Sequence, residues 1–159
     1  MIEKLMVACN NHFAVSVEMV GINILADGIE GFFYNDYVAG QHILIEGTLV
    51  NDGVYLIADV SPSKLTLDAT LTPENTSGYL YLYGLSVPKG FRELATEIQT
   101  WVTKSEKVGI ASESIDGYSV SFKDGGGWGR AFKDKLTPYR RIFNPKDSIL
   151  SHYDIRKKG

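Results

Sequence analysis

Between Met1 and Val87 the sequence holds only two basic residues, Lys4 and Lys64, against ten aspartates and glutamates, a local charge of −8. A surface of that sign repels a phosphate backbone, so this half of the chain is the wrong place to look for nucleic-acid binding. Cysteine is nearly absent too. Cys9 stands alone, which excludes an internal disulfide framework and fits a reducing cytoplasm. Its place on the apolar face of a short helical pattern points to packing rather than chemistry. No run approaches the roughly 18 apolar residues that a membrane helix needs. The opening MIEKLMVACNNHF is too short and too polar for a secretory leader, with Glu3 and Lys4 ahead of a brief apolar stretch.

The inventory for catalysis is equally thin. His12, His42 and His152 are scattered, and none has a second ligand at a metal-like spacing such as HExxH. They read as surface or capping residues. No serine lies in a GxSxG elbow, and Cys9 lacks the local signature of a nucleophile. Asp27, Glu30 and Asp36 are close in sequence and remain the one place where paired carboxylates could meet. No catalytic residue, metal ligand or cofactor is expected.

What is present falls into two textures. Ile2, Leu5, Met6 and Cys9 recur at helical spacing and predict a short helix over 2–11. From Phe13 short β-runs follow, broken by turn residues. FAVSVEMV alternates at Phe13, Val15 and Val17, and HILIEGTLV puts Ile43 and Ile45 on one face. NDG at 51–53 turns the chain into VYLIADV, SPSKLTLDA supplies another turn and strand, and TPENTSG leads into YLYLYGL. Five or six short antiparallel strands predict a small barrel or sandwich. Gly31 to Gly40, GFFYNDYVAG, reads as an aromatic loop or irregular strand. Its rings at Phe32, Phe33, Tyr34 and Tyr37 are either a docking knob or filling for the module's own core.

Pro88 opens the second texture, at a position that suits the first turn of a helix. Phe91, Leu94, Ala95, Ile98 and Val102 then form one stripe of a long amphipathic helix. Asp116-Gly117 predicts a turn, and Tyr118, Val120 and Phe122 alternate as a strand. Trp128, Phe132, Leu136 and Tyr139 recur at helical spacing, with Pro138 placed to kink or end that helix. DGGGWG at 124–129 lacks the Lys-Ser/Thr that ends a phosphate loop, and Asp124 puts a negative charge where an anion would sit. The segment reads as a hinge. Residues 88–159 carry fourteen basic against nine acidic side chains, a charge of +5. The tail NPKDSILSHYDIRKKG has too few apolar residues for a core of its own and is expected to order against a partner.

The C-terminal stretch resembles the head-to-tail connector (adaptor, or head-completion) proteins of long-tailed bacteriophages. A serine-rich strand of the type S-E-S-I-G-D-Y-S-V followed by L-x-x-Y-R-R carries the resemblance. Gly109, Ile110, Ser112, Glu113, Ser114 and Ile115 match it, as do Tyr118, Ser119 and Val120. Leu136, Tyr139, Arg140 and Arg141 complete it. The resemblance covers residues 88–143. Together with the two textures it gives an expected α+β chain: a helical connector frame, from a short N-terminal helix plus two C-terminal helices, with the small antiparallel β barrel or sandwich read from the strand pattern as an insertion. The expected parts are a frame helix over 1–12, the inserted β module over 13–86, the helical connector core over 87–143 and an extended docking tail over 144–159. Because such connectors are mainly helical, the β module departs from their pattern.

The resemblance further implies a virion structural protein, not an enzyme. Its expected place is the neck of the virion, after assembly in the host cytoplasm. Copies form a ring, typically of about twelve, beneath the portal protein. The ring extends the DNA channel, lets double-stranded DNA pass without sequence-specific binding, and presents a surface to a neck or tail-completion protein; no membrane is involved. Trp128, Arg130, Tyr139, Arg140 and Arg141 are the expected ring or portal contacts. Ile149, Leu150 and Tyr153 are the expected anchors of the tail. Two other readings stand beside it. One is a basic nucleic-acid-binding module using Trp128, Tyr139, Arg140 and Arg141, and the other a small hydrolase with an acidic site within 27–36.

Overall fold

A computed structural model describes residues 1–75, 79–107 and 127–150 of the chain. It divides into two compact units, Met1–Asn11 with Pro88–Ile142, and His12–Val87 with Phe143–Gly159.

In the helical unit, α1 spans Ile2–Ala8 and buries Leu5 and Met6. It stops short of the expected 2–11. Asn10 takes a left-handed φ of 51°, which asparagine tolerates better than most residues. The amides of Asn10 and Asn11 then turn back to the carbonyls of Val7 and Met6, closing the helix in a Schellman turn. The long helix α2, Lys89–Lys107, begins just after Pro88, whose carbonyl accepts from the amides of Phe91 and Arg92. Its predicted stripe is buried at Phe91, Leu94, Ala95 and Ile98. The next helix departs from expectation, because it is broken. α3 covers Trp128–Ala131 and α4 covers Lys133–Leu136, separated by Phe132 with a non-helical φ of −112°. A 3-10 turn, Thr137–Tyr139, follows. Pro138 has no N–H to continue an α-helical ladder, so the chain tightens and stops there.

In the β unit all strand pairs are antiparallel. The strands are β1 Ala14–Val20, β2 Ile22–Leu25, β3 Gly28–Gly31, β4 His42–Glu46, β5 Gly53–Ser61, β6 Lys64–Leu67, β7 Glu74–Asn75 and β8 Leu80–Leu85. Their order is β1-β8-β4-β5-β6-β3-β2-β7. The barrel alternative is therefore corrected: the sheet ends at β1 and β7 and does not close. Only Gly21 separates β1 from β2, so the two distant ends of the order are brought back towards each other by the chain itself. The bend lets Ile43, Ile45, Leu80 and Leu82 from one part share a core with Ile24, Ile29, Ile57 and Leu65 from the other.

The face of β1 is also corrected. Phe13 has a positive φ and precedes the strand, Val15 is exposed, and Ala14, Val17 and Val20 are buried. An irregularity between Ala14 and Ser16 breaks the alternation, which is what a bulge does to a period of two.

Of the tail expected to be extended over 144–159, the described part departs from that form, and 151–159 lie outside the described residues. Residues 145–150 are helical and form α5, with Pro145 at the first position, where its missing N–H costs nothing. The Asn144 Oδ1 accepts from the amides of Lys146 and His12, each at 3.3 Å, and Asn144 Nδ2 lies 2.6 Å from His12 Nδ1. His12 and Asn144 are both buried, so His12 is not the surface residue that the sequence led us to expect. Lys146 pairs with Glu46. Burial and the neighbouring Glu46 carboxylate push the Tyr83 phenol well above its ordinary range, with Asp147 adding to the effect.

Candidate interaction surfaces

The residues expected to dock divide into buried and exposed sets. Trp128 is only 5% exposed, so it is a core residue of its unit, in line with the helical spacing it shares with the buried Phe132 and Leu136. Tyr139 is half-buried, its ring edge-on to Phe91 at 5.0 Å, and its carbonyl accepts from Asn11 Nδ2 at 2.8 Å. Arg130, Arg140 and Arg141 are exposed. Arg141 curls back: its Nη1 donates to the carbonyls of Pro138 and Arg140, and its amide donates to the Cys9 carbonyl. The cation thus sits over the C-terminal end of the 3-10 turn, where unpaired carbonyls favour positive charge. Burial raises the Cys9 thiol, and the Arg140 charge opposes it. Ile149 and Leu150 are half-buried on α5. Tyr153 lies outside the described residues, as does the stretch 108–126 that carries much of the sequence resemblance.

Glu18 was not singled out in the sequence, yet it organises the aromatic loop. It sits in the middle of β1, buried. Its carboxylate accepts from the Tyr34 amide and the Tyr37 hydroxyl, each at 2.6 Å, and more distantly from the Asn35 amide. Burial and this carboxylate raise the Tyr37 phenol far above its ordinary range. A charged residue inside the apolar run VSVEMV was the available signal, because a carboxylate is kept there only if donors come to meet it. The loop splits accordingly. Tyr37 joins the core and Phe33 packs against it, their rings edge-to-face at 5.9 Å, whereas Phe32 and Tyr34 point to solvent.

A second ordered loop carries apolar side chains outward. Thr48 donates its amide and hydroxyl to Asp52, both at 2.8 Å. Asn51 exchanges hydrogen bonds with the backbone of Thr72, and Glu74 accepts from the Leu49 amide. Leu49 and Val50 at its tip are largely exposed.

In the acidic stretch 27–36, Asp27, Glu30 and Asp36 are all exposed. Asp27 is bound to Lys64 at 2.7 Å, which holds its carboxyl below the usual range, and Glu18 rather than an acid of this stretch is the buried one. In the helical unit, Gly90, Leu94, Pro138 and Tyr139, with Glu93, Glu97 and Lys135, line a shallow groove of about 330 Å³. Lys135 closes one wall onto Glu97 at 2.6 Å. Among the described residues, no group of three or more His, Cys, Asp or Glu side chains could hold a metal ion. None of the described helices is long and apolar enough to cross a membrane. Compared with known protein families, with characterised proteins and with solved structures, the chain matches none.

Proposed function

We propose that the chain is a structural subunit of a bacteriophage neck, a ring-forming head-to-tail connector that docks beneath the portal protein. It extends the DNA channel and offers a surface to a neck or tail-completion protein. The observation that carries this reading is a set of large apolar side chains held in solvent on ordered backbone: Phe32 and Tyr34 above the Glu18 clamp, and Leu49 and Val50 on their hydrogen-bonded loop. Such surface is costly for a lone chain and useful to one that is covered by other proteins. The order SESIDGYSV, then LTPYRR, points the same way by resemblance. Neither catalysis nor a cofactor enters this reading, and the virion neck is where it operates.

The nucleic-acid reading draws less support. Stacking on bases requires an open ring face, and Trp128 is buried. Light scattering on the chain alone and mixed with its candidate portal ring tests the proposal. A stoichiometric complex or a closed ring is expected. A chain that ignores the portal but is retained on DNA at low salt and released as salt rises would overturn it.

A further inference from the structure

Gly21, the single residue between β1 and β2, is the floor of an aromatic face within the β unit. β2 and β3 pair Ile22 with Gly31, so the next positions along the two chains are Gly21 and Phe32. β1 and β8 pair Val20 with Leu80, so the position beyond is Tyr79, whose ring would lie 3.8 Å from a Cβ placed on Gly21. Ile22, Ile24, Ile29 and Leu80 are buried, and successive side chains of a strand point to opposite faces. Tyr79, Gly21 and Phe32 therefore form one row across the outer face. The exposed Asn75, Asn23 and Glu30, joined by ladder pairs, form the next. Phe32 and Tyr79 are 84% and 71% exposed.

The charge of this face has one sign. Lys64 stands opposite Glu30 in the β3–β6 ladder but turns its ammonium to Asp27 at 2.7 Å. Residues 12–87 as a whole carry nine acids against Lys64 alone, so the surface attracts cations and repels phosphates and acidic glycans. Arginine fits it best. A guanidinium is planar, lies flat on an aromatic ring and still presents its fork to a carboxylate. Glu30 and Phe32, two positions apart on one face, are about 7 Å from each other along the strand, so one guanidinium can stack on the ring and reach the acid. The Asn23 amide, paired with Glu30 across the ladder, supplies a further acceptor. A lysine ammonium is a compact, strongly hydrated point charge and cannot stack in this way.

We infer that the outer face around Gly21, with Phe32, Tyr79 and Glu30, docks an arginine-bearing segment of a partner protein. The choice of a polypeptide rests on the connector reading above; the choice of arginine rests on the rings and the charge.

A blocked peptide, acetyl-Gly-Arg-Ala-Arg-Gly-amide, titrated into the full-length isotope-labelled chain tests this through backbone amide shifts. Saturable shifts centred on Gly21, Glu30 and Phe32 are expected, fading as salt rises. The same peptide with lysine, or with citrulline, which keeps the shape of arginine without its charge, is expected to bind at least about threefold more weakly. Phe32→Ser and Glu30→Gln are each expected to weaken the arginine peptide about three- to tenfold, with the amide spectrum away from the face unchanged. Shifts centred elsewhere, equal binding of the citrulline or lysine peptide, or variants that bind like the wild type overturn the inference. So does a neutral glycan, chitohexaose, that moves the same amides at lower concentration than the arginine peptide. Should Phe32→Ser fail to fold, Glu30→Gln and Tyr79→Ser decide in its place. The portal-mixing experiment judges the connector reading separately: a chain that binds the portal but ignores the arginine peptide loses only this docking face.

Discussion

Replacing Glu18 by alanine would leave the buried Tyr37 hydroxyl and the part-buried Tyr34 amide without their acceptor. Unmet buried donors cost about 1–3 kcal/mol each. We expect Glu18→Ala to lower stability by about 2–4 kcal/mol in urea unfolding. Glu18→Gln keeps one acceptor oxygen and should lose less; equal losses would show that the carboxylate's bonds do not hold the loop. Two phenols make a second residue-scale prediction. Tyr37 and Tyr83 are both raised, chiefly by burial. Below about pH 10 each is neutral whether folded or unfolded, so pH has no leverage through them. Above it the unfolded chain releases protons that the folded chain keeps, so stability falls as pH rises. Urea midpoints should therefore fall as pH rises above about 10, and Tyr37→Phe should flatten the slope. A slope unchanged in that variant would remove Tyr37 from the account.

At the scale of the elements, β3 lies close against its paired strand β6. A Cβ added at Gly28 would come within 2.2 Å of the Leu65 carbonyl oxygen, with the Thr66 Cα at 3.0 Å. The obstruction is backbone of the paired strand β6, which cannot step aside as a side chain would. Gly28→Ala should cost at least about 2 kcal/mol and loosen the β3–β6 ladder, as read by amide exchange of Leu65 and Thr66. Gly40→Ala makes the control: it has φ of 84° with nothing within 4 Å, so only the left-handed backbone is at issue, roughly 1–2 kcal/mol. A larger loss at Gly40 than at Gly28 would contradict the close approach.

At the scale of the molecule, the chain leaves the helical unit after Asn11 and returns at Pro88. The ends of the β segment between them meet: Ala14 pairs with Leu85, and the Ser86 amide donates to the Phe13 carbonyl at 2.9 Å. A segment whose ends lie together can be removed with a short bridge. A chain joining residue 11 to residue 88 through a few Gly/Ser residues should keep the helical unit folded, with cooperative loss of helical circular dichroism on heating. Its apolar positions, Leu5, Met6, Phe91 and Ile98, all lie within that unit. A non-cooperative melt would show that the unit depends on the excised segment.

The helix of α2, the stop at Pro138, and the strands around Ile43, Ile45 and VYLIADV were legible from the sequence alone. Hydrophobic period, proline geometry and turn chemistry act over a few residues, and a sequence displays them directly. The aromatic content of 32–37 was legible too, but not its division, because which rings turn inward depends on where Glu18 lies when β1 meets β8. The same holds for the His12–Asn144 pair, for the helix at 145–150 where an extended tail was expected, and for Trp128, placed in the core rather than on a surface. Each depends on residues far apart in the chain being brought to one place. Pairing between distant strands is a property of the folded sheet, and no local pattern encodes it.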